Sequence, residues 1–272
     1  MTGARSGYLP VEGAALYYEV RGSGPTLLMI PGGPADADMM AGLAAAMAER
    51  YTVVTYDPRN NSRSRLLGEA TDWNPAQEAD DAAALIDAVG APAFVFGNSG
   101  GAQAGLALVA RHPDKVRMLV AHEPPAVNLL TTAAEKRAES ENVLKTYRAQ
   151  GPGAAMQAFM AMAGIEGGPP PSAAPSPEAS ERVNRMGGNL VRFFEHGLLA
   201  ISGYVPDIEA LRAGTPRIIV GVGETTAGQI AHETALALAR RLGVEPLAFP
   251  GDHGGFAAQP AAFGQVLERA FA

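Results

Sequence analysis

Ala93-Phe94-Val95-Phe96-Gly97-Asn98-Ser99-Gly100-Gly101 is the stretch on which the reading of this chain turns. Four apolar residues run into Gly97, a serine follows, and two more glycines come after it. Residues 102–112 then read as a helix, with Ala, Leu and Val recurring on one face and Arg111 and His112 in the last turn. A buried strand that passes at once into a helix needs a very tight turn. Small neighbours let the backbone pass close by while the residue at the apex takes a strained conformation. The five residues from Gly97 to Gly101 fit G-x-S-x-G, a pattern that lifts a serine hydroxyl to the tip of such a turn, above the sheet. In a chain with 32 glycines the pentapeptide alone is a weak signal. The strand before it and the helix after it distinguish it from an ordinary Gly-Ser turn.

Working outward, residues 8–20 alternate loosely and read as two short antiparallel strands turning near Glu12-Gly13. Residues 26–30 form a buried strand that runs straight into Pro31-Gly32-Gly33-Pro34, and a helix over 36–50 follows. Residues 52–56 are the next strand, ending in Asp57-Pro58-Arg59. Pro75 opens a helix to Val89 whose early Glu78, Asp80 and Asp81 suit the helix dipole. After the serine turn, 117–121 is another strand and ends in His122-Glu123-Pro124-Pro125. Strand and helix alternate to this point, which predicts a parallel sheet covered on both faces. The rhythm then breaks. Residues 126–205 hold helical segments at 133–150, 154–163 and 178–202, divided by the Pro/Gly-rich run 167–171, a predicted mobile link. Strands return at 217–222 and 245–249, each followed by a helix, 229–242 and 260–271. The glycine loop Gly251-Asp252-His253-Gly254-Gly255 lies between the last strand and the last helix.

The totals narrow the function. With 272 residues, 47 % hydrophobic and 18 % charged, the chain is globular and long enough for one large α/β domain carrying an insert. A net charge of −7 and the lack of a basic stripe argue against a nucleic-acid partner. There is no cysteine, so disulfides, thiolate metal sites and a cysteine nucleophile are excluded. Residues 1–13 do not read as a secretory signal, and no apolar run approaches the roughly 20 residues of a membrane span. We therefore expect a cytoplasmic protein without a membrane partner; a homodimer is compatible with the sequence.

A strand–GNSGG–helix unit, a glycine loop after an earlier strand, a helical insert and a late Gly-x-His together resemble the α/β-hydrolase superfamily along essentially the whole chain. The resemblance implies a mostly parallel eight-stranded sheet with helices on both faces and a helical cap inserted after strand 6. The core is then 1–125 with 206–272, and the cap 126–205. It also implies a serine hydrolase needing no cofactor and no metal. The chemistry agrees: a serine hydroxyl is a poor nucleophile at neutral pH and needs a general base, an imidazole suits, and a carboxylate must orient that ring.

Of five histidines, His253 sits in the loop where the superfamily carries its base, among small neighbours. His112 ends a helix, His196 lies in the insert, His232 lies in a surface helix, and His122 reads as structural. The carboxylate is open between three positions. Glu123 follows its strand directly, as in the superfamily members, the zearalenone lactonase group among them, that carry the acid after strand 6. Ala121-His122-Glu123-Pro124-Pro125 and Val222-Gly223-Glu224-Thr225-Thr226 both resemble that group's segments. Glu224 is the second candidate, one or two residues out of step with the commoner acid slot, which falls on Thr225 or Thr226. Asp252 is the third, adjoining His253. Ser99, His253 and Glu123 are taken as the catalytic set. The N–H of Gly100, and by resemblance that of Gly33, form the oxyanion hole. Asn60 stands where the superfamily usually has glycine, a position asparagine tolerates.

In the insert, Met156, Phe159, Met160, Phe193 and Phe194 are candidates for lining an apolar substrate pocket, with core packing as the alternative. The insert has no tryptophan; the chain's one is Trp73. An apolar pocket favours a small hydrophobic ester or lactone over sugars or phosphates. Carbon–carbon bond hydrolysis or perhydrolysis by the same three residues, and a non-catalytic hydrolase-like binding protein, are the rival readings.

Overall fold

The computed structural model describes residues 4–165 and 177–272. The run 167–171 lies outside the described residues. The hairpin β1 (Arg5–Val11) and β2 (Ala14–Arg21) is antiparallel and edges the sheet. β3 (Thr26–Ile30), β4 (Thr52–Tyr56), β6 (Ala93–Asn98), β7 (Val116–His122), β8 (Arg217–Gly223) and β9 (Leu247–Phe249) run parallel, in the order β1-β2-β4-β3-β6-β7-β8-β9. A two-residue strand, β5 (Arg65–Leu66), pairs with β2 beside this path. With it counted, the insert follows the seventh strand in chain order, the same strand expected as the sixth.

The centre of the sheet is apolar on both faces because helices cover both. β3 shows the alternation that follows from the pleat. Leu28 and Ile30 join the core beneath α2 (Pro75–Val89), α3 (Gly100–Arg111) and α9 (Ile230–Leu242). Leu27 and Met29 join the other core, with Met40, Leu43 and Met47 of α1 (Ala37–Met47) and Phe263, Leu267 and Phe271 of α11 (Pro260–Phe271). Asp36 starts α1 by accepting the N–H groups of Asp38 and Met39. Asn74 caps α2 in the same way, ahead of Pro75.

Residues 126–205 carry α4 (Ala133–Gln150), α5 (Pro152–Ala163), α6 (Pro177–Arg192) and α7 (Leu198–Gly203). Between α6 and α7 the helix widens into one π-turn, Phe193–Gly197. Such turns concentrate at functional sites, and this one faces the serine loop. Phe193, Phe194, Leu198 and Ile201 continue the apolar core of the α2/α3 side into the insert. A short helix that the sequence reading leaves as a loop, α8 (Ile208–Ala213), begins where the Asp207 side chain accepts the Ala210 N–H. A further four residues, α10 (Gly255–Ala258), turn the chain after His253.

Candidate active site

Every candidate residue of the core stands at the carboxyl edge of a parallel strand, where an open α/β sheet places its ligands. Ser99 follows β6 with φ 55° and ψ −123°. A non-glycine residue held there costs on the order of 1–3 kcal/mol, and the surroundings must impose it. They do so by close approach: a Cβ on Gly101 would collide with the carbonyl oxygen of Ile30 in β3. The Ser99 N–H donates to the His122 carbonyl at 2.9 Å, which ties the turn to β7.

The loop after β3 comes equally close. A Cβ on Gly32 would collide with the Asn98 carbonyl oxygen and lie 2.8 Å from both the Gly100 nitrogen and the Ser99 Cβ. A Cβ on Gly100 would lie 3.2 Å from the Gly33 nitrogen. The N–H groups of Gly33 and Gly100 therefore stand side by side next to Ser99. As the first residue of α3, Gly100 has an N–H with no acceptor inside its helix. Gly33 adopts φ 55°.

Glu123 directly follows β7 with φ 47° and is fully buried. Its N–H donates to the Gly221 carbonyl at 3.0 Å, locking the residue against β8. One carboxylate oxygen, Oε2, lies 2.7 Å from His253 Nδ1. The other, Oε1, accepts from the Gly223 N–H at 2.9 Å and from the Thr226 hydroxyl. Burial pushes the Glu123 carboxyl up, but the hydrogen bonds from His253 and Gly223 outweigh it and bring its pKa to about 2. An ionised carboxylate only accepts, so Nδ1 carries the proton and Nε2 of His253 keeps its lone pair free. The imidazole tautomer is thus fixed from behind.

His122 is fully buried, with Nδ1 2.7 Å from the Asn98 amide oxygen. Burial drives its pKa down to about 3, so it stays neutral. Its ring packs edge-on against Phe249 and Phe263 and lies 6.4 Å from that of His253. The residue that accepts the Ser99 N–H on its carbonyl is therefore also the one against which the His253 ring rests.

Glu224 and Asp252 do not join this arrangement. Glu224 is exposed and lines a groove with Leu247, Ala248 and Arg269. Asp252 is exposed and its Oδ1 accepts from the Gly254 N–H at 2.8 Å. Thr226, in the commoner acid slot, is fully buried and serves Glu123 as a donor. Asn60 takes φ 62°. His112 contacts Asp80 at 2.6 Å and His196 contacts Asp72 at 3.1 Å, both on the surface. Among the described residues, no group of three His, Asp or Glu side chains is placed to hold a metal ion.

Beside Gly33 and Gly100, a cavity of about 20 Å³ runs between the sheet and the insert, lined also by Trp73, Glu78, Arg192, Phe193 and Ile201. Of the five insert residues expected at a pocket, only Phe193 lines it. Phe159 packs edge-on behind Phe193 at 5.4 Å, and Met156 is half-buried against the same core. Phe194 is buried and stacks on Tyr147 at 5.4 Å, turned into the insert's own core. Met160 is half-buried and away from the cavity. Trp73, Glu78 and Arg192 are not read from the sequence as lining a pocket. Trp73 comes from the core; its ring lies edge-on to Tyr204 and its backbone N–H donates to the His196 carbonyl at 2.8 Å.

Known proteins share this fold. A family described as alpha/beta hydrolase fold matches residues 25–159. The uncharacterized hydrolase YraK of Bacillus subtilis is 35 % identical over 260 residues, covering 92 % of this chain and 90 % of YraK. A zearalenone hydrolase of Bionectria ochroleuca is 25 % identical over 263 residues, 94 % of this chain and 93 % of its own. Among solved structures, an α/β hydrolase from Sphaerobacter thermophilus superposes with a TM-score of 0.69 at 25 % identity, over 98 % of this chain and 100 % of that one. With YraK matched at this identity along nearly its whole length, the chain belongs to the α/β-hydrolase family and is a hydrolase of that fold.

Proposed function

We propose that the protein is a serine hydrolase that cleaves the carboxylic ester or lactone bond of a small hydrophobic substrate through an acyl-enzyme. The observation that carries this reading is the 2.7 Å contact between His253 Nδ1 and the buried, ionised Glu123, at the same carboxyl edge of the sheet as a serine held at φ 55°. In this reading His253 Nε2 removes the Ser99 hydroxyl proton as Oγ attacks the carbonyl carbon. Negative charge then collects on the carbonyl oxygen, where the N–H groups of Gly33 and Gly100 receive it; one such donor is worth about 10²–10³ in rate. Collapse of the tetrahedral intermediate expels the alkoxide, which takes the proton from the imidazolium. Water, deprotonated by the same ring, releases the acid. Glu123 balances the imidazolium throughout and stays ionised.

The choice of bond rests on the arrangement and on relatives. A zearalenone hydrolase is similar along most of the chain, and Glu123 follows β7 at the position for which the resemblance to that group gives an acid. Treatment with a fluorophosphonate, mass spectrometry of the adduct and a panel of esters and lactones test the reading. An adduct on Ser99, and turnover that falls about 10⁴-fold in Ser99→Ala, are expected. An adduct on any other residue, or turnover that survives the substitution, overturns it.

A further inference from the structure

Glu78 and Arg192 meet across the cavity beside Gly33 and Gly100, although one belongs to α2 of the core and the other ends α6 of the insert. Glu78 is 4 % exposed, and its carboxylate has no hydrogen bond or ion pair among the described residues. Arg192 is half-buried, and its guanidinium likewise has no partner there. The two are close enough to feel one another's charge without touching: burial pushes the Glu78 carboxyl up to about 7 while Arg192 pulls it back, and burial lowers Arg192. The other cation whose charge reaches Glu78, Arg59, is already committed to Asp81 at 2.6 Å. Burying opposite charges without closing the pair costs several kcal/mol. A structure that keeps them apart has left room for something between them.

We propose that Glu78 and Arg192 form a polar subsite that takes a hydroxyl group carried on the acyl part of the substrate. The hydroxyl donates to the Glu78 carboxylate and accepts from the Arg192 guanidinium. Three features select this chemistry. The cavity, about 20 Å³, is the size of a single oxygen-bearing group. Its walls have opposite charge, so an anion meets Glu78 and an ammonium meets Arg192, whereas a neutral group that both donates and accepts satisfies each. The cavity also opens at Gly33 and Gly100, whose N–H groups would hold the oxygen of the acyl carbonyl, so what enters it is joined to the acyl carbon. This inference rests on the serine reading above and adds a substrate class to it.

The test compares p-nitrophenyl butyrate with the p-nitrophenyl esters of 2- and 3-hydroxybutyrate, on the wild-type protein and on Glu78→Leu and Arg192→Met. Thermal melts check folding, and Glu78→Gln serves if the leucine variant does not fold. For the wild type, kcat/KM for one of the hydroxylated esters should exceed that for butyrate by about tenfold or more, since a site built to hydrogen-bond a hydroxyl discriminates strongly against its absence. The ratio should collapse toward one in the folded variants. A wild-type ratio of one or less for both hydroxylated esters, or a ratio unchanged in the variants, overturns the proposal and leaves the cavity holding water only. If Ser99 still takes the fluorophosphonate in that case, the serine reading stands and only the subsite fails. If Ser99 is inert as well, both fail together.

Discussion

Thr226 holds the oxygen of Glu123 that His253 leaves free. Its hydroxyl has one proton and two neighbours that can only accept, the ionised Glu123 Oε1 and the Gly223 carbonyl at 2.9 Å, and the charged oxygen is the stronger acceptor. The His232 ring nitrogen Nδ1, 3.0 Å from the same hydroxyl, then has to be the donor toward Thr226. Two lines of donors therefore converge on Glu123, one from His232 through Thr226 and the other directly from His253. The residue in the slot where an acid was sought on β8 is a donor to the acid that stands on β7.

Thr226→Val keeps the shape and removes the donor. A hydrogen bond to a charged group is worth about 1.5–3 kcal/mol, so kcat should fall roughly 10- to 100-fold with KM little changed. Thr226→Ser should recover most of the loss. Steady-state kinetics on the two variants check this; a Val variant with wild-type kcat removes Thr226 from any role in holding the acid.

Glu123→Gln and Glu224→Gln separate the two carboxylates. Glutamine at 123 keeps the volume of a fully buried side chain but deprives the imidazolium of its counter-charge and offers Nδ1 an ambiguous partner. Loss of about two to four orders of magnitude in kcat is expected. Glu224 is exposed, and its substitution should stay within a factor of two or three. Comparison of the two rates at saturating ester is sufficient; the reverse order would assign the acid to Glu224.

Phe193 and Phe194 are neighbours with different tasks. Both are buried, so alanine at either should cost about 3–5 kcal/mol of stability. Only Phe193 lines the cavity beside Gly33. Phe193→Ala should therefore shift the preferred acyl length upward, while Phe194→Ala, which removes the ring stacked on Tyr147, should leave it alone. A series of p-nitrophenyl esters from acetate to octanoate, read alongside urea unfolding, tells them apart.

Much of this architecture is legible in the residues themselves, for reasons that are local. The four apolar residues before Gly97 and the small residues after Ser99 announce a strand, a turn and a helix because nothing else accommodates them. Helices 75–89 and 260–271 begin at a proline and helix 133–150 ends at Gly151, so those limits follow from short-range chemistry. The π-turn at Phe193–Gly197 does not, because its apolar residues continue a helical spacing and only packing against the serine loop reveals the widening. The site divides in the same way. Glu123 is visible because it ends a strand. Glu78 is not, because in the sequence it looks like Asp80, one more acid early in α2. Tertiary packing separates them: Asp80 is on the surface with Arg111 and His112, while Glu78 is turned inward beneath Arg192 from 114 residues further along.

Stability should depend on pH from two directions, and Glu78 and His122 make the opposed contributions. His122 has a folded pKa near 3 against an ordinary value of 6.5. Its depressed pKa means that the folded state prefers the neutral ring, so that contribution is complete above about 6.5 and is lost as pH falls toward 3. Glu123, brought to about 2 from 4.5, adds a loss of the same sign below 4.5. Glu78 runs the other way. Its folded pKa is near 7 against 4.5, so the unfolded chain releases that proton first and folding is penalised as pH rises from about 4.5 to 7. Glu78→Gln removes the ionisation and nearly keeps the shape. Its melting temperature should match or fall slightly below the wild type at pH 4.5 and exceed it at pH 8, with the difference developing between those values. Thermal melts of both proteins across pH 4–8 measure it. A difference that does not change with pH would mean that Glu78 ionises as easily in the folded protein as in water, and that it is not buried opposite Arg192.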